Sequence, residues 1–212
     1  MLRAVIFDLG GVVLGSPLHA IAGYERELGL PANAVNRVVA ATAPYGAWSR
    51  LERGELAMEE FYRAFEADCA AAGHRLSARE MMARMAAAAR PRPSMLRAIR
   101  AIREAGLLAA ALTNNWAHAE SGGAGPDDGT RALREHFDVF VESSVEGLRK
   151  PDPRIYTLAC ERLGIAPPEA AFLDDIGANL KPARALGMHT IRVLEPEQAL
   201  RELGDVLRLD LL

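Results

Sequence analysis

After Pro93, short apolar runs with the composition of β-strands alternate with stretches of helical periodicity. The predicted strands are Leu107 to Thr113, Phe137 to Glu142, Ala170 to Leu173 and His189 to Leu194, and the predicted helices are Ser94 to Ala105, Arg131 to His136, Pro153 to Leu163, Ala178 to Leu186 and Pro196 to Val206. Strands that alternate with helices in this way are typical of a parallel sheet with both faces covered. The alternation therefore predicts an α/β fold.

One further strand lies at the start of the chain, where the apolar run Arg3 to Asp8 ends at an Asp followed by two glycines. From Ser16 to Arg90 the pattern predicts only helices: one from Pro17 to Leu28, then Ala32 to Ala41, Met58 to Ala72 and Ser77 to Ala89. An Arg-Pro-Arg-Pro sequence then marks an extended boundary. We expect a core of residues 1–15 and 93–212 with a helical cap, residues 16–92, inserted after the first strand. The polar stretch 121–130 is expected to be a mobile loop.

The composition excludes several classes of protein. Half of the 212 residues are hydrophobic and a quarter are charged, which is typical of a globular fold. A net charge of −3 argues against non-specific binding to nucleic acid. No apolar run approaches the roughly 20 residues of a membrane span, and the first residues do not resemble a signal peptide. Two isolated cysteines, Cys69 and Cys160, are expected to be buried in a cytoplasmic protein without membrane partners. The oligomeric state is not indicated.

Polar residues follow the predicted strands in a consistent order. Asp8 ends the first strand, Thr113-Asn114-Asn115 the next, Lys150 follows the third, and Asp174-Asp175 end the fourth. Ligands of parallel α/β sheets bind beyond the carboxyl ends of strands, so these side chains are expected to converge. Carboxylates placed together repel one another unless a cation joins them. The pattern therefore predicts a site for a hard divalent ion with oxygen ligands, Mg²⁺.

Each of these residues also has a plain structural interpretation. Asp8 could be a turn residue, Thr113 could begin a turn, and Asp174-Asp175 could cap the following helix. Asp152 is expected to cap a helix that begins at Pro153. The order of all of them along the chain favours a shared site. Lys150 is also unusual, because 23 of the 25 basic residues are Arg and only Lys150 and Lys181 are Lys. This choice suggests a position that requires a compact ammonium.

Four short segments resemble the motifs of the haloacid dehalogenase (HAD) superfamily, and the resemblance as a whole covers essentially the entire chain. They are Phe7 to Val12, Leu112 to Asn115, Lys150 to Tyr156 and Phe172 to Leu180. The stretch Phe172 to Gly187 is especially similar to the N-terminal phosphatase domain of soluble epoxide hydrolases and to the HAD-like domain of multidomain acyl-CoA dehydrogenase family proteins. The resemblance implies a Rossmann-like core with a cap between the first two motifs. Since the 212 residues hold no Gly-x-Ser-x-Gly elbow and no second hydrolase domain, epoxide hydrolysis is not expected.

The resemblance implies a role for each matched position. Asp8 would be the nucleophile that forms an aspartyl-phosphate. Mg²⁺ would be held by Asp8, the main-chain carbonyl of Gly10 and Asp175, with Asp174 completing the acidic set. Thr113 and the amide of Asn114 would bind phosphoryl oxygens, and Lys150 would offset the charge between Asp8 and the phosphate. The implied activity is a Mg²⁺-dependent phosphatase of a small phosphorylated metabolite.

One position departs from the pattern of the family. HAD phosphatases generally carry a second Asp two residues after the nucleophile as the general acid/base, and here that residue is Gly10. Positioned acid/base catalysis typically contributes about 10²–10⁴-fold. The enzyme would then be slow, or act on substrates with good leaving groups, or use another residue such as His19 or His118.

Two other functions are also compatible with these residues. A 2-haloacid dehalogenase uses the same nucleophile and also lacks the second Asp, although such enzymes work without the metal. A catalytically silent binding or regulatory domain is favoured by Gly10 and disfavoured by the intact Asp8, Thr113, Lys150 and Asp175. The substrate is not identified by the sequence. Three aromatic residues of the predicted cap are candidates either to line a pocket or to form the core of the cap: Tyr45, Trp48 and Phe61.

Overall fold

The computed structural model describes residues 1–116 and 131–212. Five strands form one parallel sheet in the order β3-β2-β1-β4-β5. Their bounds are β1 Ala4–Phe7, β2 Leu108–Thr113, β3 Val139–Glu142, β4 Ala170–Asp174 and β5 His189–Arg192. The prediction of a parallel α/β sheet is confirmed. The predicted mobile loop 121–130 and His118 lie outside the described residues.

Helices precede, connect and follow the strands. They are α1 Pro17–Glu27, α2 Ala34–Thr42, α3 Ala47–Glu52, α4 Met58–Ala71, α5 Ala78–Ala88, α6 Pro93–Glu104, α7 Ser143–Glu146, α8 Pro153–Leu163, α9 Gly177–Ala185 and α10 Pro196–Leu207. The segment Arg131–His136 is a 3₁₀ helix. The sequence pattern did not predict α3 or α7, because elements of four to six residues are too short to show helical periodicity. Within the described residues, no helix is both long and apolar enough to span a membrane.

The sheet has an apolar layer on each face, and β1 lies at its centre. Val5 and Phe7 of β1 belong to a cluster that includes residues of α6 and α10. Ala4 and Ile6 point to the opposite face and join a second cluster with residues of α8 and α9. Successive residues of a strand face opposite sides of the sheet, so a strand covered on both faces must be apolar throughout. This explains the uninterrupted apolar run that ends at Asp8.

The helical insertion α1–α5 has an apolar core of its own. Ile21, Phe61 and Phe65 are fully buried in a cluster whose buried members all belong to the insertion. The rings of Phe61 and Phe65 stack with centroids 5.3 Å apart. One residue of the sheet-forming part, Trp116, packs against this cluster. Since Trp116 lies three residues beyond the end of β2, the insertion is seated over the carboxyl edge of the sheet.

Two helix starts have the side-chain caps that the sequence indicates. The side chain of Ser77 accepts a hydrogen bond from the backbone N–H of Glu80 at the start of α5. Asp152 accepts one from the backbone N–H of Arg154, and Pro153 is the first residue of α8. Such caps satisfy donors that the first turn of a helix leaves without partners. The second cap begins α8 only two residues after Lys150 and so defines where the preceding loop ends.

Candidate active site

The carboxyl ends of three neighbouring strands meet at one edge of the sheet. Asp8 directly follows β1, and its backbone N–H donates to the carbonyl of Leu173 in β4 at 2.9 Å. The next residue of β4 is Asp174. Thr113 ends β2, the strand on the other side of β1, and is buried. The parallel register thus brings these predicted site residues to the same edge.

Lys150 lies between two of these carboxylates. Its Nζ atom is 2.8 Å from Oδ1 of Asp8 and 2.8 Å from Oδ2 of Asp174. The side chain is only 1% exposed. Burial alone would lower the pKa of Lys150, but the carboxylates of Asp174 and Asp8 outweigh it and raise this pKa. Lys150 therefore stays a cation in an enclosed site, where a compact ammonium can contact two carboxylates at once.

The carboxyl group of Asp8 is also strongly perturbed. Burial raises the pKa of Asp8 to about 8, Lys150 opposes this rise, and Asp174 adds to it. Two donors orient this carboxyl group, because its Oδ1 accepts from the backbone N–H of Leu9 at 2.7 Å as well as from Lys150. One ammonium thus holds Asp8 in place but does not fully offset the effect of burial on its pKa.

The two carboxylates at the end of β4 have different surroundings. Both oxygens of Asp174 are hydrogen-bonded: Oδ2 to Lys150, Oδ1 to the backbone N–H of Ile176 at 2.8 Å, and both to the side-chain amide of Asn179. Asp175 differs, because its Oδ1 is buried and has no hydrogen-bond partner among the described residues. Burial, and then the neighbouring Asp174, raise the pKa of Asp175 to about 6. A buried polar atom without a partner is costly, and a cation bound at Oδ1 of Asp175 would remove that cost.

This acidic cluster fits a divalent cation. Asp8, Asp174 and Asp175 each offer an oxygen within 4.8 Å of the others. When all three are ionised, one ammonium leaves a formal charge of minus two in the site, which one divalent ion would balance. Hard oxygen donors are the ligands that Mg²⁺ prefers. The unpartnered oxygen of Asp175 is the observation in this structure that most directly supports a metal there.

The turn after β1, Leu9–Val13, contains two glycines in different conformations. Gly10 has φ −65° and ψ 123°, which any residue can adopt. Gly11 has φ 81°, and a Cβ atom there would lie 2.1 Å from Oδ2 of Asp175. Only glycine combines a positive φ with so close an approach of a carboxylate. Gly11 is therefore required for the packing of Asp175 against this turn.

We expect Gly11→Ala to disrupt the site and Gly10→Ala to be tolerated. A Cβ atom at Gly10 would meet only Pro17 at 3.4 Å, an ordinary contact, whereas at Gly11 it displaces Asp175 in addition to the cost of about 1 kcal/mol for the positive φ. Thermal unfolding and Mg²⁺ titration of both variants would check this. A Gly11→Ala variant with unchanged stability and Mg²⁺ affinity would contradict the conclusion that Asp175 packs against Gly11.

The loop after β2 contacts the loop that carries Lys150. The side chain of Asn114 makes two hydrogen bonds to the backbone of Lys150: its Oδ1 accepts from the N–H at 2.8 Å, and its Nδ2 donates to the carbonyl at 3.0 Å. The next residue, Asn115, is fixed by Glu142 and by the hydroxyl of Ser143. The backbone amide of Asn114, which the family resemblance implies as a hydrogen-bond donor to phosphoryl oxygens, thus belongs to a hydrogen-bonded loop beside Lys150.

The other candidates from the sequence have varied positions. His19 is exposed on α1. Phe61 is fully buried in the core of the insertion, and Trp48 packs edge-on against it with ring centroids 5.8 Å apart, which identifies both as packing residues. Tyr45 is 83% exposed and lines a groove of about 470 Å³ with Pro151.

Both cysteines are buried, as expected from the sequence. Burial raises the pKa of the thiol to about 12 for Cys69 and to about 11 for Cys160.

Three polar residues near the site were not identified from the sequence. The side-chain amide of Asn179 donates to Asp174. Its position within the family-like segment Phe172 to Leu180 could have identified it. Glu52 and Arg149 form a largely buried ion pair between α3 and the loop of Lys150. No local pattern marks this pair, because its members lie 97 residues apart in the sequence.

Comparisons with known sequences identify one family and several relatives. The haloacid dehalogenase-like hydrolase family matches residues 2–187. Acyl-CoA dehydrogenase family member 10 of Mus musculus is 40% identical over 208 residues, which is 97% of this chain and 19% of that protein. Bifunctional epoxide hydrolase 2 of Sus scrofa is 36% identical over 225 residues, which is 100% of this chain and 40% of that protein. The chain thus spans less than half the length of these two relatives.

Solved structures share the fold. A predicted HAD-like family hydrolase from Porphyromonas gingivalis superposes with a TM-score of 0.69 at 23% identity, covering 98% of both chains. A HAD family enzyme from Bacteroides thetaiotaomicron, in complex with magnesium and inorganic phosphate, has a TM-score of 0.61 at 19% identity and covers 91% of this chain and 94% of its own. At these identities the likeness concerns the fold.

Proposed function

Because this chain belongs to the haloacid dehalogenase-like hydrolase family, we propose that it is a Mg²⁺-dependent phosphatase of a small phosphorylated metabolite. The observation that carries this proposal is the acidic cluster itself, in which Lys150 contacts Asp8 and Asp174 while Asp175 keeps a buried oxygen without a partner among the described residues. The enzyme from Bacteroides thetaiotaomicron that shares this fold was solved with magnesium and inorganic phosphate, the two ligands that the proposal requires.

In the proposed reaction, Asp8 acts as the nucleophile. A carboxylate oxygen of Asp8 forms a bond to phosphorus while the bond from phosphorus to the leaving group breaks and the leaving group takes the electron pair. Water then attacks phosphorus, the bond between phosphorus and the Asp8 oxygen breaks with its electron pair returning to the carboxylate, and inorganic phosphate leaves with the protons of the water. Lys150 offsets the charge between Asp8 and the phosphoryl group, and Thr113 with the amide of Asn114 binds phosphoryl oxygens.

We assign the metal to Asp8, the main-chain carbonyl of Gly10, Asp174 and Asp175. Mg²⁺ bound there would supply positive charge to the phosphoryl oxygens, which otherwise repel the carboxylates. Since Asp174 already contacts Lys150 and Asn179, Asp175 is the carboxylate with the most free capacity for a metal. The helical insertion, within residues 16–92, is proposed to be the substrate-selecting cap of a core formed by residues 1–15 and 93–212. Its separate apolar cluster supports this division.

The direct test compares three outcomes on the wild-type protein. We expect hydrolysis of p-nitrophenyl phosphate that depends on added Mg²⁺ and is lost with a chelator, followed by a hit in a panel of phosphorylated metabolites. Chloride release from 2-chloropropionate without a metal would instead identify a dehalogenase. Neither activity, together with measurable phosphate binding, would identify a silent phosphate-binding domain.

We expect Mg²⁺ to stabilise the protein more at pH 8 than at pH 6. The folded-state pKa values of Asp8 and Asp175 are raised to about 8 and about 6, so the folded state holds protons that the unfolded state releases. Without metal, the stability that these two groups contribute is therefore fully present only below their ordinary pKa of 3.8, and it is lost as the pH rises to about 6 for Asp175 and about 8 for Asp8. Mg²⁺ requires ionised carboxylates and reverses the loss. Melting temperatures at both pH values, with and without Mg²⁺, check this, and Asp175→Asn is expected to remove the Mg²⁺ effect.

We expect Gly10→Asp to restore the missing general acid. At φ −65° an Asp is unstrained at this position, and its Cβ atom would meet only Pro17. Turnover of alkyl phosphates, whose alkoxide leaving group needs a proton, should rise about tenfold or more, whereas p-nitrophenyl phosphate should change much less. Gly10→Asn, which has the same shape without the acid, serves as the control. An equal loss on both substrates with intact Mg²⁺ binding would show that the proton comes from another group.

A further inference from the structure

An acidic residue of the insertion reaches the loop that carries Lys150. Glu52 is the last residue of α3, and its side chain is only 8% exposed. Its Oε1 accepts from the indole N–H of Trp48 at 2.9 Å, and its Oε2 accepts from Nε of Arg149 at 2.5 Å. The hydroxyl of Ser49, on the same helix, contacts the same guanidinium at 3.2 Å. The insertion therefore holds the residue directly before Lys150.

A second connection joins Glu52 to the other side of the Lys150 backbone. Oε2 of Glu52 also accepts from Nδ2 of Asn114 at 3.4 Å. Asn114 in turn forms its two side-chain hydrogen bonds with the backbone N–H and carbonyl of Lys150. One carboxylate of the insertion thus contacts both the neighbour of Lys150 and the amide that fixes its backbone.

We propose that Glu52 is a positioning residue that sets the backbone of Lys150, so that its ammonium lies between Asp8 and Asp174 when the insertion is seated on the core. The expected effect on turnover rests on the proposed function, whereas the expected effect on the position of Lys150 does not. The lysine side chain is long and flexible, so the position of its ammonium depends on where its backbone is fixed. Glu52 therefore couples the contact between the insertion and the core to the position of the Lys150 ammonium.

The chain offers a direct probe of this coupling, because it contains only two lysines. In protein labelled with ¹³C at lysine Cε, one signal belongs to the buried Lys150 and the other to the exposed Lys181, which is an internal reference. In Glu52→Gln we expect the Lys150 signal to shift towards that of Lys181 or to broaden, while the Lys181 signal stays in place. An unchanged Lys150 signal would overturn the proposal, whether or not the protein is active.

Kinetics supply the second measurement. In Glu52→Gln we expect kcat for p-nitrophenyl phosphate to fall about tenfold, the effect of losing one charge-assisted contact, with KM changed much less. Glu25→Gln is the matched control, since Glu25 is a buried residue of the insertion whose carboxylate, among the residues that the structure describes, accepts only from the backbone N–H groups of Asn33 and Val35. It should lower stability without moving the Lys150 signal or kcat. If Glu25→Gln gives the same loss, the effect is general destabilisation and the proposal fails.

A double variant separates positioning from charge and stability. Glu52→Met/Arg149→Met replaces the buried ion pair by apolar side chains. The net charge of the pair stays at zero and no buried charge is left without a partner. We therefore expect higher stability than in Glu52→Gln. We expect the Lys150 signal and kcat not to recover with it. Recovery of both would show that the pair contributes stability alone. A wild-type protein without phosphatase activity would refute the proposed function and leave the result from the lysine signals standing.

Discussion

Asp8→Asn is expected to abolish phosphatase turnover, by about 10⁴-fold or more, while the protein remains folded. An amide cannot form the acyl-phosphate, and it is a poorer ligand for a hard cation. The amide oxygen can still accept from the backbone N–H of Leu9 and from Lys150, so the local packing is retained. Burial raises the pKa of the native carboxyl to about 8, so its removal also takes away a charge that the fold accommodates poorly.

Two measurements on Asp8→Asn check this expectation. Turnover of p-nitrophenyl phosphate with Mg²⁺ should disappear, and the melting temperature without Mg²⁺ at pH 8 should equal or exceed that of the wild type. Asp152→Asn is a suitable control, because Asp152 caps α8 near the site and, within the described part of the chain, its side chain forms hydrogen bonds only with Arg154. Turnover of Asp8→Asn near the wild-type rate would remove Asp8 from the nucleophile position.

Lys150→Arg is expected to lose most of the activity although it keeps the positive charge. The ammonium occupies an enclosed position 2.8 Å from both Asp8 and Asp174, and the side chain is only 1% exposed. A planar guanidinium is wider and cannot act as a compact charge between two carboxylates without displacing one of them. We expect a loss of about tenfold or more in kcat, together with lower stability from overpacking.

Lys181→Arg provides the matched control for this substitution. Lys181 is the other lysine of the chain and is exposed on α9, where either side chain remains solvated. Its replacement should leave both kcat and the melting temperature unchanged. If Lys150→Arg keeps more than about a third of the wild-type rate, which is within the usual scatter of such substitutions, a compact ammonium is not required.

The family and the parallel sheet could be predicted because both depend on local patterns in the sequence. Buried strands such as Ala4–Phe7 are apolar throughout, and helices begin at caps such as Ser77 and Asp152. The short helix α3 was missed because six residues show no periodicity. That omission mattered, since Glu52 ends this helix and contacts Arg149.

The order of Asp8, Thr113, Lys150 and Asp174 along the chain was enough to predict that they meet at one edge of the sheet, because parallel strands end at a common edge and these residues follow the strands in order. How these side chains interact became visible only in the folded chain. It placed Lys150 between two carboxylates, left Oδ1 of Asp175 without a partner among the described residues, and gave Gly10 a φ of −65°. These properties depend on side chains and dihedral angles fixed by packing between distant segments, and glycine in particular carries no side chain that would restrict φ beforehand.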